Sequence, residues 1–414
     1  MLGGYGAYSQ YEQNPTITKP IEEVYADLDS ASREDDINDP NIQSVLFAYV
    51  LVPPVYYEGR WIKGLLHARA ADYLAHHYPR LKEAFLLSAT SFCCSFPYSK
   101  SADAYFCLYN NQHRVDWFKK ANPERANKIF LPYHDADIFN EYLVAPQHIR
   151  QQKPNDIVII SRLEACKNLG ILAEALKVYE IKFGRKLSCV LIVGTDCDIN
   201  RAGLTEAEKE ELRKMERVLV HLPDYMTIIP KLTDYSKIAS SLASSKICLL
   251  GSLLEGKNRA IYEAMSCNTA VVCFEDFNKY ARGEEPILPP HCGLTAPHFS
   301  GESMADTIHS VLTNYGDFSP RKNVLQVSGR KKTIAGCLSR IPHFRESIPD
   351  FEKSDIFGNL WYDLAIQENY QLGLHEFIFD KNPDLAMPRA GKVKEILEFY
   401  ISRYEYFNGY TSGR

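Results

Sequence analysis

Basic charge is not in excess in this 414-residue chain: 47 Lys and Arg stand against 52 Asp and Glu, a formal net charge of −5. A general nucleic-acid binder needs a net basic face to displace counterions, so no nucleic-acid partner is expected. Long apolar runs are missing as well. The longest, residues 45–55, carries Pro53-Pro54 and is too short to span a bilayer. Residues 1–40 hold no basic segment followed by an apolar one, the mark of a secretory leader. The eleven cysteines form no CxxC pair, and several (Cys107, Cys189, Cys248, Cys273) sit inside apolar stretches. Buried reduced thiols in a cytoplasmic chain are the expectation. No HExxH, GxSxG or P-loop pattern occurs, nor any internal repeat or low-complexity segment. No structural metal is expected from the histidines.

What is present is apolar material for more than one core. The chain is 45% hydrophobic, and its length suits two or three domains. Residues 1–40 form a polar arm with a short helix expected near Ile21–Asp29. From 41 to 150, short β-favouring runs (Ser44–Val52, Ala84–Ser88, Ala104–Leu108, Lys128–Leu131) alternate with expected helices at Gly64–His77 and Arg114–Lys120. A polar hinge, Gln147–Asn155, leads into 151–315, where the alternation is cleaner. Strands are expected at Ile157–Ile160, Cys189–Val193, Thr227–Ile229, Ile247–Leu250 and Ala270–Phe274. Helices are expected at Leu169–Tyr179, Thr205–Val218, Tyr235–Ser241, Asn258–Met265 and Glu302–Leu312. Thr205 with Glu208 makes a capping box. Residues 316–414 are a looser extension with a tail helix, Lys392–Tyr406, expected to pack back on the first domain. Strand–helix alternation of this kind predicts parallel sheets in an α/β fold.

Three pieces of the 151–315 segment belong together. Ser161-Arg162-Leu163 follows a strand, and Lys167-Asn168 opens the next helix; Gly194 ends the neighbouring strand. Ligands of open parallel sheets bind outside the carboxyl ends of the strands. There the planar fork of Arg162 and the compact charge of Lys167 suit a diphosphate. Glu255-Gly256-Lys257-Asn258-Arg259 forms a second strand-to-helix junction, where Gly256 permits close backbone approach and the free N–H groups of a first helical turn attract an anion. Glu263 stands a little over two helical turns beyond Glu255. One carboxylate is placed for a sugar at the mouth of the site, the other for a ribose deeper in.

The run Ile160-Ser161-Arg162-Leu163, Lys167-Asn168 and Ala175-Leu176, followed by Glu255-x7-Glu263-Ala264-Met265 and Ala270-Val271-Val272, resembles the nucleotide-sugar half of glycosyltransferase family 4. The resemblance covers about 155–315. It implies a retaining enzyme of the GT-B fold: two Rossmann-like domains facing across a cleft, with a helical C-terminal extension. It further implies transfer of a sugar from a UDP- or GDP-sugar to a hydroxyl acceptor (a glycan, a lipid-linked molecule or a small molecule), with no metal and no other cofactor. By this resemblance Arg162 and Lys167 stabilise the leaving diphosphate, Glu255 holds the sugar and Glu263 the ribose. Lys231 and Leu232 flank the base, and the backbone of Gly256–Asn258 meets the phosphate or sugar. The family's glycine loop corresponds to Gly3-Gly4, and its half-site histidine to His113, with His67 next. Lys257 and Asn258 stand where the family often has an aromatic residue and a second glycine, and Asn268 where a glycine is common. Two rivals are a nucleotide-sugar-binding partner subunit without turnover and a GT-B epimerase or phosphorylase. The first binds donor without transfer; the others need no acceptor or require inorganic phosphate.

Three Asp-x-Asp triplets (Asp27/Asp29, Asp135/Asp137, Asp196/Asp198) offer metal-binding spacing, but the nearby cations favour a metal-free diphosphate site. The Gly64–His77 stretch, with Trp61, Lys63, Leu65, Leu66, His67, Arg69, His76 and His77, reads first as a surface helix with one buried stripe. Its second reading is a face for a membrane surface or lipid-linked acceptor, hence a peripheral membrane contact. The basic run Arg321–Lys332 reads as a solvated or anion-binding face.

Overall fold

A computed structural model describes residues 48–52, 55–57, 60–68, 71–72, 75, 79, 81–90, 100–106, 115–116, 119–120, 123–131, 152–194, 203–230, 235–253, 258–277, 279 and 286–347. The chain divides into two units, 1–134 with 333–414, and 135–332. Both are α/β with parallel sheets.

In the first unit, strands β1 (Ala48–Val52), β4 (Gly64–Ala68), β5 (Phe85–Thr90), β6 (Ala104–Phe106) and β7 (Ile129–Leu131) form one sheet in that order. Strands β4 to β7 run parallel, and β1 pairs antiparallel with β4. A small hairpin, β2 (Val55–Tyr57) with β3 (Arg60–Ile62), lies between β1 and β4 in sequence. A one-turn helix, α1 (Leu81–Ala84), leads into β5.

The expected helix at Gly64–His77 is overturned over its first five residues. Gly64–Ala68 is a strand, and all five residues are buried. A strand covered on both faces is apolar throughout rather than alternating, so a short run such as Leu65-Leu66 carries no period that separates strand from helix. Helical residues begin only at Ala71. Of the residues read as a membrane-docking face, Leu65, Leu66 and His67 are core residues, while Arg69, His76 and His77 lie outside the described residues. Among the described residues no helix is long and apolar enough to cross a membrane.

The second unit holds a six-stranded, wholly parallel sheet in the order β10-β9-β8-β11-β12-β13. The strands are β8 (Asn155–Ser161), β9 (Cys189–Val193), β10 (Met226–Ile229), β11 (Ser245–Leu249), β12 (Ala270–Phe274) and β13 (Gly293–Ala296). Their side chains alternate between two cores. Ile157, Ile159, Ile247, Leu249, Val272 and Phe274 pack under helices α2 (Leu169–Phe183), α3 (Glu206–Leu219) and α6 (Gly301–Thr313). Val158, Cys248, Val271 and Cys273 pack on the other face under α4 (Tyr235–Ala243), α5 (Arg259–Ser266) and α7 (Pro320–Val327). Next in sequence, helix α8 (Arg330–Arg340) crosses from the second unit into the residues of the first, and α9 (Pro342–Ser347) belongs to the first.

Helix α3 starts as expected, on the Thr205–Glu208 capping box. At the amino end of the sheet, buried Asp156 accepts from Arg185 at 2.6 Å and Lys246 at 2.9 Å. Burial pushes its pKa up, but the hydrogen bonds from Lys246, the Ser188 amide and Arg185 outweigh that and hold the carboxyl below its ordinary range.

The strand order fixes where a ligand belongs. The chain enters at β8 in the middle of the sheet, winds outward through β9 and β10, then returns to the other side of β8 with β11. The carboxyl ends of β8 and β11 therefore flank a topological switch point, where adjacent loops diverge and open a crevice.

Candidate functional site

The loop leaving β8 carries Arg162 and then a 3-10 turn, Ala165–Lys167, closed by Asn168 in the left-handed conformation (φ 51°, ψ 43°). Asparagine tolerates this region better than most residues. Here its side chain is also used: Nδ2 donates to the Gly251 carbonyl at 3.0 Å and the Cys166 carbonyl at 3.3 Å. Gly251 follows β11, so the two strand ends that flank the switch point are tied directly. A Cβ at Gly251 would lie 2.6 Å from the Lys167 carbonyl oxygen, a clash with backbone that only glycine avoids. The turn that carries Lys167 is thus seated on the end of β11.

The end of β9 serves Arg162 in the same way. Gly194 donates its N–H to the Ser161 carbonyl at 3.0 Å, and a Cβ there would stand 2.8 Å from Arg162 Cγ. The arginine stem crosses the bare backbone of Gly194. Its guanidinium pairs with Glu164 (Nη1–Oε1 2.9 Å) and remains about half exposed, at 52%. A guanidinium can bind a carboxylate or a phosphate bidentately, so a half-exposed arginine fork of this kind suits either oxyanion.

Helix α5 supplies the third part. Asn258 caps it by accepting from the Ala260 N–H at 2.8 Å. Ile261, Ala264 and Met265 fix one face in the core. Arg259 and Glu263, one turn apart on another face, form an ion pair (Nε–Oε1 2.9 Å), and Glu263 is only 7% exposed. Such an i,i+4 pair orients both side chains on the helix.

Of the residues singled out from the sequence, Arg162, Lys167 and Gly194 lie at the carboxyl ends of β8 and β9, and Asn258, Arg259 and Glu263 on the helix after β11. Glu255, Gly256, Lys257, Lys231, Leu232, His113, Gly3, Gly4 and the three Asp-x-Asp triplets lie outside the described residues. His67 is buried in β4, with Nδ1 3.2 Å from Ser88 Oγ and its ring against Phe106. The Asn168–Gly251 tie was not anticipated; a glycine just past a strand and an asparagine just before a helix were its only traces.

Residues 154–314 match the family model of glycosyl transferases group 1. The matched stretch runs from β8 to α6, the parallel sheet of the second unit. No curated protein matches the chain. Among solved structures, TarM is 14% identical, with 66% of this chain and 53% of that one covered at a TM-score of 0.45. Sucrose-phosphate synthase from Thermosynechococcus elongatus is 16% identical, with 68% and 73% covered at 0.43. The pneumococcal O-GlcNAc transferase GtfA, solved with UDP and GlcNAc, is 11% identical, with 72% and 54% covered at 0.40. The chain thus spans about half the length of the TarM and GtfA chains it resembles.

Proposed function

We propose that this chain is a retaining glycosyltransferase of the GT-B type that moves a sugar from a nucleoside diphosphate to a hydroxyl acceptor. The observation that carries the proposal is the assembly at the switch point. Two cations, Arg162 and Lys167, sit on the loop leaving β8, which Asn168 ties to the end of β11, and the helix that follows β11 presents a capped N-terminus and the Arg259–Glu263 ion pair. Both cations suit a diphosphate, and Glu263 suits the hydroxyls of a ribose. The group 1 match over this same sheet supports the reading, and the UDP held by GtfA makes uridine diphosphate the first nucleotide to test.

The chemistry follows from charge. As the bond between the anomeric carbon and the phosphate oxygen breaks, negative charge grows on the departing diphosphate. Fixed cations there stabilise the transition state more than the ground state. The acceptor oxygen bonds to the anomeric carbon on the same face, and its proton passes to the departing phosphate oxygen. By the resemblance to family 4, Glu255 is assigned to the donor sugar and Lys231 and Leu232 to the base. With the cations in place, the diphosphate needs no divalent metal.

Arg162→Ala tests the leaving-group role. It is expected to lower kcat more than donor affinity, because the arginine acts on charge that appears only in the transition state. Equal losses in both would mean that Arg162 only binds the donor.

A further inference from the structure

Helix α5 ends on an asparagine in the left-handed conformation, Asn268 (φ 56°), at the position where the resembling family commonly has glycine. The backbone closes the end on itself. Thr269 N–H reaches the Ala264 carbonyl at 2.9 Å, Asn268 N–H the Met265 carbonyl at 2.9 Å, and Cys267 N–H the Glu263 carbonyl at 3.1 Å. This is a Schellman closure, and it leaves the carbonyls of Ser266 and Cys267 to find partners elsewhere.

Two cations from distant parts of the chain supply them. Arg321, the second residue of α7, donates from Nη1 to the Ser266 carbonyl at 2.5 Å, while its N–H reaches Asn268 Oδ1 at 3.2 Å. Lys153, two residues before β8, is buried. Its ammonium reaches the Ser245 carbonyl and Thr269 Oγ1 at 2.9 Å each, and the Cys267 carbonyl at 3.5 Å. Thr269 Oγ1 in turn donates to Leu242, at the end of α4, at 2.6 Å. Burial pulls the Lys153 pKa down to about 8, against the opposing influence of Cys267, so the ammonium is kept where its charge is disfavoured. Cations at a helix C-terminus also meet the negative end of its dipole.

The opposite end of the same helix carries Asn258 and Arg259, and Glu263 lies between the two ends, ion-paired to Arg259. Lys153 lies just before β8 and Arg321 near the start of α7, at opposite ends of the second unit's sheet-forming sequence. We propose that Lys153 and Arg321 are positioning residues: they clasp α5 by its last carbonyls and so set how its first turn and Glu263 are presented to a nucleoside diphosphate. The inference rests on the donor-site reading above and assigns that site two residues that do not touch the ligand.

The test is titration calorimetry of the full chain with UDP and GDP, alongside thermal unfolding without nucleotide. The variants are Arg321→Met, Arg321→Lys and Lys153→Met. Arg321→Met is expected to weaken nucleotide affinity by about tenfold or more while its unfolding midpoint stays within a few degrees of wild type. Arg321→Lys, which keeps a cation near the Ser266 carbonyl, is expected to recover most of that loss. Lys153→Met together with Arg321→Met is expected to lose less than the sum of the single losses, because both act through one helix. Wild-type affinity in Arg321→Met and Lys153→Met would overturn the clasp and leave the donor site standing. If Lys153→Met does not fold, the Arg321 pair decides alone. A wild-type chain that binds neither nucleotide would overturn the donor-site reading, and this inference with it.

Discussion

The side-chain amide of Asn168 donates to the main-chain carbonyl of Gly251 across 3.0 Å, joining two strand–helix loops 83 positions apart in sequence. That bond ties the turn of Lys167 to the end of β11 and makes the switch point a single piece of structure rather than two independent loops.

Gly251→Ala is expected to break this arrangement from the β11 side. Its Cβ meets the Lys167 carbonyl at 2.6 Å and the Asn168 carbonyl at 3.1 Å, so one loop must move. Overpacking of this kind costs about 1–3 kcal/mol. Chemical denaturation should show that loss, and calorimetry should show weaker nucleotide binding with it.

Gly194→Ala separates binding from stability. The added methyl meets Arg162 Cγ at 2.8 Å, but Gly194 is exposed, and the arginine has solvent to turn into. The expected result is a change in stability under about 1 kcal/mol with a clear drop in diphosphate affinity. Calorimetry on the folded variant checks it.

Glu164→Gln tests the competition for Arg162. The Arg162–Glu164 pair is largely exposed, so its loss should cost at most about 1 kcal/mol of stability. A guanidinium freed of its carboxylate partner should hold a diphosphate more tightly, with the gain shrinking as salt is raised. Unchanged affinity would place the phosphate away from Arg162.

Asp156 predicts the acid limb of the stability curve. Its pKa is depressed in the folded state, so its contribution is present above the unfolded value and is lost as pH falls through the folded one. Below about pH 4 wild type should lose stability more steeply than Asp156→Asn. At neutral pH the variant should be weaker by about 1–3 kcal/mol, the scale of lost hydrogen bonds to a charged group. Urea midpoints across pH measure both.

Much of the second unit is legible in its residues because local and tertiary signals agree there. Cys189–Val193 and Ala270–Phe274 are strands over the residues expected, and Thr205 with Glu208 caps its helix as a pair. Gly64–Ala68 was not legible, because burial on both faces erased its period. Gly293–Ala296 is four residues at a sheet edge, too short to stand out. The basic run that begins at Arg321 reads as a solvated or anion-binding face, yet Arg321 itself bonds to a helix end 55 positions away. The positions of Arg162 and Lys167 after a strand and of Glu263 within a helix are local properties and were readable. The contacts that fix them, Asn168 with Gly251 and Arg321 with Ser266, join segments that no local pattern connects.

The most direct measurement is a thermal-shift screen of the full chain against UDP, GDP, ADP and TDP, with and without EDTA. Clear stabilisation by one of these diphosphates is expected, scaling with its concentration over its Kd and unchanged by EDTA. No stabilisation by any of them would contradict the account, since Arg162, Lys167 and Glu263 would then share a switch point without forming a donor site.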